Sequence, residues 1–134
     1  MTLQVGVKIF LRNKENKYLI LKRSAKRYPG LKNLWDIPGG RINPGSSLLE
    51  NLKREVREET GIELDSVPVL ITAQDILRPD KHIVRLTYTG EGEGEPRLSD
   101  EEEDFRWLTL DEMMGFDGLD EYTREALAHV TCSL

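Results

Sequence analysis

The stretch Gly39-Gly40-Arg41-Ile42-Asn43-Pro44-Gly45-Ser46-Ser47-Leu48-Leu49-Glu50-Asn51-Leu52-Lys53-Arg54-Glu55-Val56-Arg57-Glu58-Glu59-Thr60-Gly61-Ile62 carries the densest pattern in the chain. Asn43-Pro44-Gly45 is a turn tripeptide, since proline presets φ and asparagine and glycine tolerate the bend. Ser47-Leu48-Leu49-Glu50 has the Ser-x-x-Glu form of a capping box, in which each side chain satisfies the other residue's free backbone N–H. A helix is therefore predicted over 47–60, closed by Gly61, which suits the left-handed position just past a helix. Leu48, Leu49, Leu52 and Val56 fall on one stripe that should pack on a sheet, with Lys53, Arg54 and Arg57 turned away.

Glu55, Glu58 and Glu59 stand at i, i+3 and i+4, on the flank beside that stripe. On a solvated face they would be ordinary helix formers, with Arg54 and Glu58 as a surface pair. Beside a buried edge the like charges repel and burial penalises their ionised form, and a hard divalent cation would relieve both penalties. Mg²⁺ takes one or two carboxylates and fills its other positions with water and substrate phosphate, so the residue types suit it, with Mn²⁺ as a possible substitute.

Upstream, Val5, Val7, Ile9 and Leu11 alternate with Gln4, Gly6, Lys8 and Phe10, the pattern of a strand with one buried face. Residues 13–17 read as a turn and 18–22 as the returning strand of a hairpin. Residues 24–34 form a polar, basic loop broken by Pro29-Gly30, followed by a short strand at 35–37 that Pro38-Gly39-Gly40 ends. Further strands are expected at 67–77, 83–88 and 105–108, with Pro79-Asp80 and the Gly-Glu run of 90–94 as connections, and two helices at 111–114 and 120–130. A mixed sheet covered by helices on both faces follows.

The 134 residues fit one domain over 1–134. No apolar run approaches the roughly 20 residues that span a bilayer, and Met1-Thr2-Leu3-Gln4-Val5 has none of the marks of a secretory signal. Cys132, the single cysteine, has no partner for an internal disulfide. A cytoplasmic location is expected. A net charge of −5 argues against a general nucleic-acid surface. The charge is uneven: Lys22, Arg23, Lys26, Arg27 and Lys32 crowd one segment, whereas Glu91, Glu93, Glu95 and residues 100–104 make another acidic.

From Gly40 to Ile62 the chain resembles the Nudix box, Gly-x5-Glu-x7-Arg-Glu-U-x-Glu-Glu-x-Gly-U with U aliphatic, at every specified position but one. Trp35-Asp36-Ile37-Pro38-Gly39-Gly40 and Phe105-Arg106-Trp107-Leu108 also resemble elements of that family. The resemblance implies an α/β (α+β) fold, a Nudix-like α/β/α sandwich with a mixed sheet. It implies Glu58 and Glu59 as metal ligands, Glu55 as ligand or general base, and the Gly39 carbonyl as a further ligand; Gly40 would let the loop backbone approach phosphate. Glu58 and Glu55 are thus the catalytic candidates. A later carboxylate among Glu101, Glu102, Glu103 and Asp104, with Glu102 the choice, would join the metal site. Ser46 stands where the box has its first glutamate, which in the family braces the loop through the box arginine, here Arg54. Arg54 would instead use Glu50, Glu58 or Asp36, and weakened bracing with chemistry retained is expected.

The implied reaction is hydrolysis of a diphosphate linkage, with Arg23, Lys26 and Arg27 candidates for outer phosphates and Phe10, Tyr28 or Trp35 for stacking on a base. By elimination of subgroup marks outside the box, a nucleoside triphosphate, oxidised or non-standard ones included, leads. The expected partner is a small nucleotide, with no nucleic acid and no membrane, and the chain is expected to be a monomer or homodimer. Two alternatives stand beside this reading: a Nudix-fold module that binds a nucleotide without hydrolysing it, for which Ser46 speaks, and a small interaction domain whose acidic loop at 91–104 meets a basic partner.

Overall fold

The computed structural model describes residues 1–132, without the side chains of Thr131 and Cys132, so the reading of Cys132 as an unpaired thiol lies outside the described residues. The strands are β1 (Thr2–Arg12), β2 (Tyr18–Arg23), β3 (Trp35–Asp36), β4 (Gly39–Arg41), β5 (Val69–Leu77), β6 (Lys81–Glu91) and β7 (Glu102–Leu108). The helices are α1 (Leu48–Thr60), α2 (Leu110–Met114) and α3 (Glu121–Cys132). The strands form one mixed sheet in the order β3-β2-β1-β6-β5, with β4 beside β1 and β7 beside β2. Its centre is the parallel pair β1 and β6, in register from Thr2 opposite Lys81 to Arg12 opposite Glu91, while the β5–β6 pairing is antiparallel.

Alternation along β1 divides two cores. Val7, Ile9 and Leu11 pack with Leu52 and Val56 of α1. Phe10 packs on the opposite face with Tyr18, Ile20, Met113 of α2 and Ala126, Leu127 and Val130 of α3. The expectation of a single buried face on β1 is corrected: helices cover both sides, and Phe10 and Lys8 are both buried. Each fully buried aliphatic side chain contributes roughly 1.5–3 kcal/mol, which makes the layered α/β/α arrangement the way this pattern hides its apolar surface.

The central helix starts and stops close to where the sequence predicts. The Glu50 N–H donates to Ser47 Oγ at 3.1 Å, and Gly61, at φ 74°, donates its N–H to the Arg57 carbonyl. Only that half of the capping box forms there, because Glu50 is exposed and leaves its carboxylate to solvent. The complete reciprocal box lies instead at Thr109 and Glu112, opening α2. Leu48 is exposed, contrary to the predicted stripe, because α1 meets the sheet through its middle and last turns; Asn51 and Thr60 are buried in its place.

The short strand ends before Pro38 as expected, but Gly39–Arg41 then form β4, which the sequence pattern does not predict and which pairs antiparallel with β1. Gly39 has φ 137°, and a Cβ there would overlap the Val7 carbonyl and the Lys8 backbone. Close approach of two strands, as well as the turn, therefore requires glycine at this position.

Candidate active site

Glu55 and Glu59, one turn apart on α1, face a cavity of about 520 Å³ that is also lined by Lys8, Gly39, Gly40 and Glu102. Glu59 is half-buried, with Glu102 and Asp36 more fully covered. Its Oε1 accepts the Gly39 N–H at 2.7 Å, and burial, reinforced by Glu102 and Glu55 and opposed by Lys8 and that hydrogen bond, pushes its pKa up to about 8. Burial likewise pushes Glu102 up, against a hydrogen bond from the Ser99 hydroxyl. Three carboxylates with little water to solvate them thus line one wall.

Glu55 Oε1 accepts from Arg54 Nη2 at 2.8 Å. A Cβ on Gly40 would lie 2.5 Å from Glu55 Oε2, so the carboxylate sits against bare backbone. Among the described residues, no three Asp, Glu, His or Cys side chains are already closed into a cation cage. The donor set on the wall is nevertheless all oxygen: the Gly39 carbonyl and the carboxylates of Glu55, Glu59 and Glu102. That chemistry fits a hard divalent cation, and the elevated Glu59 pKa marks a carboxylate whose charge such a cation would restore.

Cations line the same cavity, and Lys8 lies close enough to the carboxylates to oppose the rise at Glu59. Lys8 Nζ donates to the Ile37 and Gly39 carbonyls at 3.2 and 3.3 Å and pairs with Asp36 at 3.2 Å. Asp36 is buried and also accepts from Arg85 Nη2 at 3.2 Å and from the Thr123 hydroxyl, with Arg23 3.6 Å away. Burial alone would raise the Asp36 pKa, but Arg85, Lys8 and the hydrogen bonds outweigh it and hold the carboxyl well below its ordinary value. Lys8, Arg85 and Arg23 gather around Asp36, with Asp120 3.4 Å from Arg85, so a surplus of one cation stands beside the cavity's glutamates.

The structure brings together Glu55, Glu59, Glu102, Gly39, Gly40, Arg23 and Tyr28 of the predicted residues. Glu58 does not line the cavity: it is exposed and pairs loosely with Arg54 at 3.6 Å, because its position on the helix turns it towards solvent. Arg27 is also outside, pairing with Asp100 and Glu101. Trp35 does not line the cavity; its ring meets Phe116 edge-on and lies beneath the Arg106 guanidinium. Phe10 is fully buried in the core. Arg54 uses Glu55 and Glu58 rather than Glu50, and Asp36 is committed to Lys8, Arg85 and Arg23. Lys8, Arg85 and Asn51 were not legible as site residues. Their signal was a polar side chain inside a strongly apolar strand or on the buried side of a helix.

Fold and site together define a layered α/β protein with one cavity lined by both carboxylates and cations. The family model for the NUDIX domain matches residues 2–130, and the chain belongs to that family. The crystal structure of the MutT protein from Methanosarcina mazei Go1 is similar at 29% identity with a TM-score of 0.84, over 98% of this chain and 95% of that one. The asymmetrical bis(5'-nucleosyl)-tetraphosphatase of Rattus norvegicus is 38% identical over 84 residues, 58% of this chain and 57% of that protein. An 8-oxo-dGTP diphosphatase of Buchnera aphidicola subsp. Schizaphis graminum is 39% identical over 51 residues, 38% of each chain. The alignments thus span little more than half of these two curated relatives at most. Among the described residues no helix is long and apolar enough to cross a membrane.

Proposed function

We propose that the chain, as one NUDIX domain over residues 1–134, is a Mg²⁺-dependent hydrolase of a diphosphate linkage in a nucleotide, with Mn²⁺ as a substitute. Nudix hydrolases generally use a divalent cation. The observation that carries the reading is Glu59, a half-buried carboxyl tied to the Gly39 N–H and sharing one cavity with Glu55 and Glu102. Gly39 through its carbonyl, Glu55, Glu59 and Glu102 would hold the cation. Glu58 joins them only by turning its side chain inward. A cation so held would lower the pKa of a water and neutralise charge on the phosphates.

The chain's own residues supply the rest. Glu55, steadied by Arg54, takes the proton of the attacking water as general base. The water oxygen bonds to phosphorus, the bond from that phosphorus to the bridging oxygen breaks, and the net release is one proton. Arg23 binds the outer phosphates, while Lys8 and Arg85 offset the charge of Asp36 beside the cavity's glutamates. For a nucleoside triphosphate, the leading substrate class with oxidised and non-standard bases included, the products are nucleoside monophosphate and pyrophosphate. The name of the Buchnera relative supports this class, and that of the rat relative supports a dinucleoside polyphosphate as the competitor.

The test is product analysis on nucleoside triphosphates, ADP-ribose and dinucleoside polyphosphates with Mg²⁺, beside Glu58→Gln and Glu59→Gln. Turnover lost in Glu59→Gln supports the hydrolase. No turnover on any substrate, with nucleotide binding indifferent to Glu59→Gln, leaves the non-hydrolytic binding module in front.

A further inference from the structure

Asn51 is wholly buried on α1, where an apolar residue would be the ordinary choice. Its amide is saturated. Nδ2 donates to the carbonyls of Ser46 at 3.2 Å and Ser47 at 2.8 Å, and Oδ1 accepts from the Asn43 N–H at 2.7 Å and from Arg54 Nη1 at 2.5 Å. Two donors and two acceptors are the full capacity of a carboxamide, and among side chains of this length only asparagine offers both. Arg54 carries the connection onward, donating to the Arg41 carbonyl at 3.1 Å and to Glu55 Oε1 at 2.8 Å. One side chain therefore joins the 43–47 turn, the end of β4 through Arg54, and the carboxylate assigned as base.

We infer that Asn51 is a positioning residue for the reaction, holding the 41–47 loop and the Arg54–Glu55 pair in register, and that it replaces the brace this chain lacks because Ser46 is not a glutamate. The inference rests on the proposed role of Glu55 and extends it to a residue the box leaves unspecified. Ser46 contributes only its backbone carbonyl to this network, so its short side chain is no defect: the connection reaches the loop from the helix instead of from the loop to the helix. Hydrogen bonds that orient an active carboxylate typically change activity or metal affinity by about 10–100-fold when removed.

The experiment compares Asn51→Leu, which keeps the volume and removes all four hydrogen bonds, with Asn51→Leu carrying Ser46→Glu, which supplies a carboxylate for Arg54 from the loop side. Amide hydrogen exchange at Asn43, Mn²⁺ affinity and, with whichever nucleotide the wild type turns over, kcat and KM are measured on protein shown folded by circular dichroism. In Asn51→Leu, Asn43 loses exchange protection, Mn²⁺ binds about 10-fold more weakly or worse, and kcat falls at least about 10-fold with KM within about 3-fold. Ser46→Glu added to Asn51→Leu restores at least half of the lost kcat and of the lost Mn²⁺ affinity on a logarithmic scale. Losses in Asn51→Leu that Ser46→Glu leaves unchanged, or an Asn51→Leu protein with free Asn43 exchange but unchanged Mn²⁺ affinity and kcat, overturn the positioning role. If the wild type turns over nothing, the hydrolase reading fails on its own, and exchange and Mn²⁺ affinity still decide for or against the brace.

Discussion

Replacing Asp36 by Asn keeps the shape of the side chain and removes the carboxylate shared by Lys8 at 3.2 Å, Arg85 at 3.2 Å and Arg23 at 3.6 Å, leaving Arg85 only Asp120 at 3.4 Å. Lys8 and Arg85 are buried and cannot turn to water for compensation. Breaking a buried ion pair by removing one partner costs about 3–5 kcal/mol, because the remaining charge is left desolvated. Domains of this size have a total stability of about 5–15 kcal/mol, so Asp36→Asn should consume a large fraction of it. At about 3–5 °C per kcal/mol, the melting temperature should drop by roughly 10–20 °C. The pH dependence follows from the same geometry. Since the folded state holds the Asp36 carboxyl below its ordinary 3.8, its ionised form stabilises the fold above that value, and the contribution is lost as pH falls through the lower folded one. The gap between wild type and Asp36→Asn, measured by urea unfolding at several pH values, should be full at pH 7 and shrink in acid below about pH 4. A gap under about 1 kcal/mol at pH 7, or one that does not narrow in acid, would refute the reasoning.

Glu59 gives the opposite pH signature. Its carboxyl, raised from 4.5 to about 8, keeps a proton in the folded state that the unfolded chain has already lost, so metal-free stability should fall as pH rises from 4.5 towards 8. Urea unfolding in chelator should show this slope in the wild type and not in Glu59→Gln. Gly40→Ala sets a methyl 2.5 Å from Glu55 Oε2 and should lower turnover by roughly 100-fold in a protein that still folds, as steady-state kinetics and circular dichroism would report. Arg23→Ala should raise KM about 10-fold with kcat largely kept, whereas Arg27→Ala, outside the cavity, should change neither by more than about 2-fold.

How far the sequence could be read depended on the range of the interaction. The α1 boundaries were legible because a serine cap and a left-handed glycine act within a few residues. The strand pattern of β1 was legible because alternation is local, but whether its second face met water depended on α2 and α3, which follow almost a hundred residues later. The carboxylates at 55 and 59 share a cavity as helical spacing suggests, while Glu58, one residue away, turns out to solvent because each helical residue rotates the side chain by about 100°. Lys8, Asp36 and Arg85 come from three separate strands or strand ends, and no spacing along the chain announces their meeting. Thr109-Leu110-Asp111-Glu112 has the same capping form as Ser47-Leu48-Leu49-Glu50, and the full reciprocal pair forms only at the former. The motif fixes where a helix begins more firmly than which hydrogen bonds begin it.

The central claim is that the wall of Glu55, Glu59, Glu102 and the Gly39 carbonyl is where a divalent cation works, and Mn²⁺ titration followed by electron paramagnetic resonance tests it most directly. The account predicts saturable Mn²⁺ binding by the wild type, competed by Mg²⁺ and weakened at least about 10-fold in Glu59→Gln. Mn²⁺ affinity that is the same in the wild type and Glu59→Gln would contradict it.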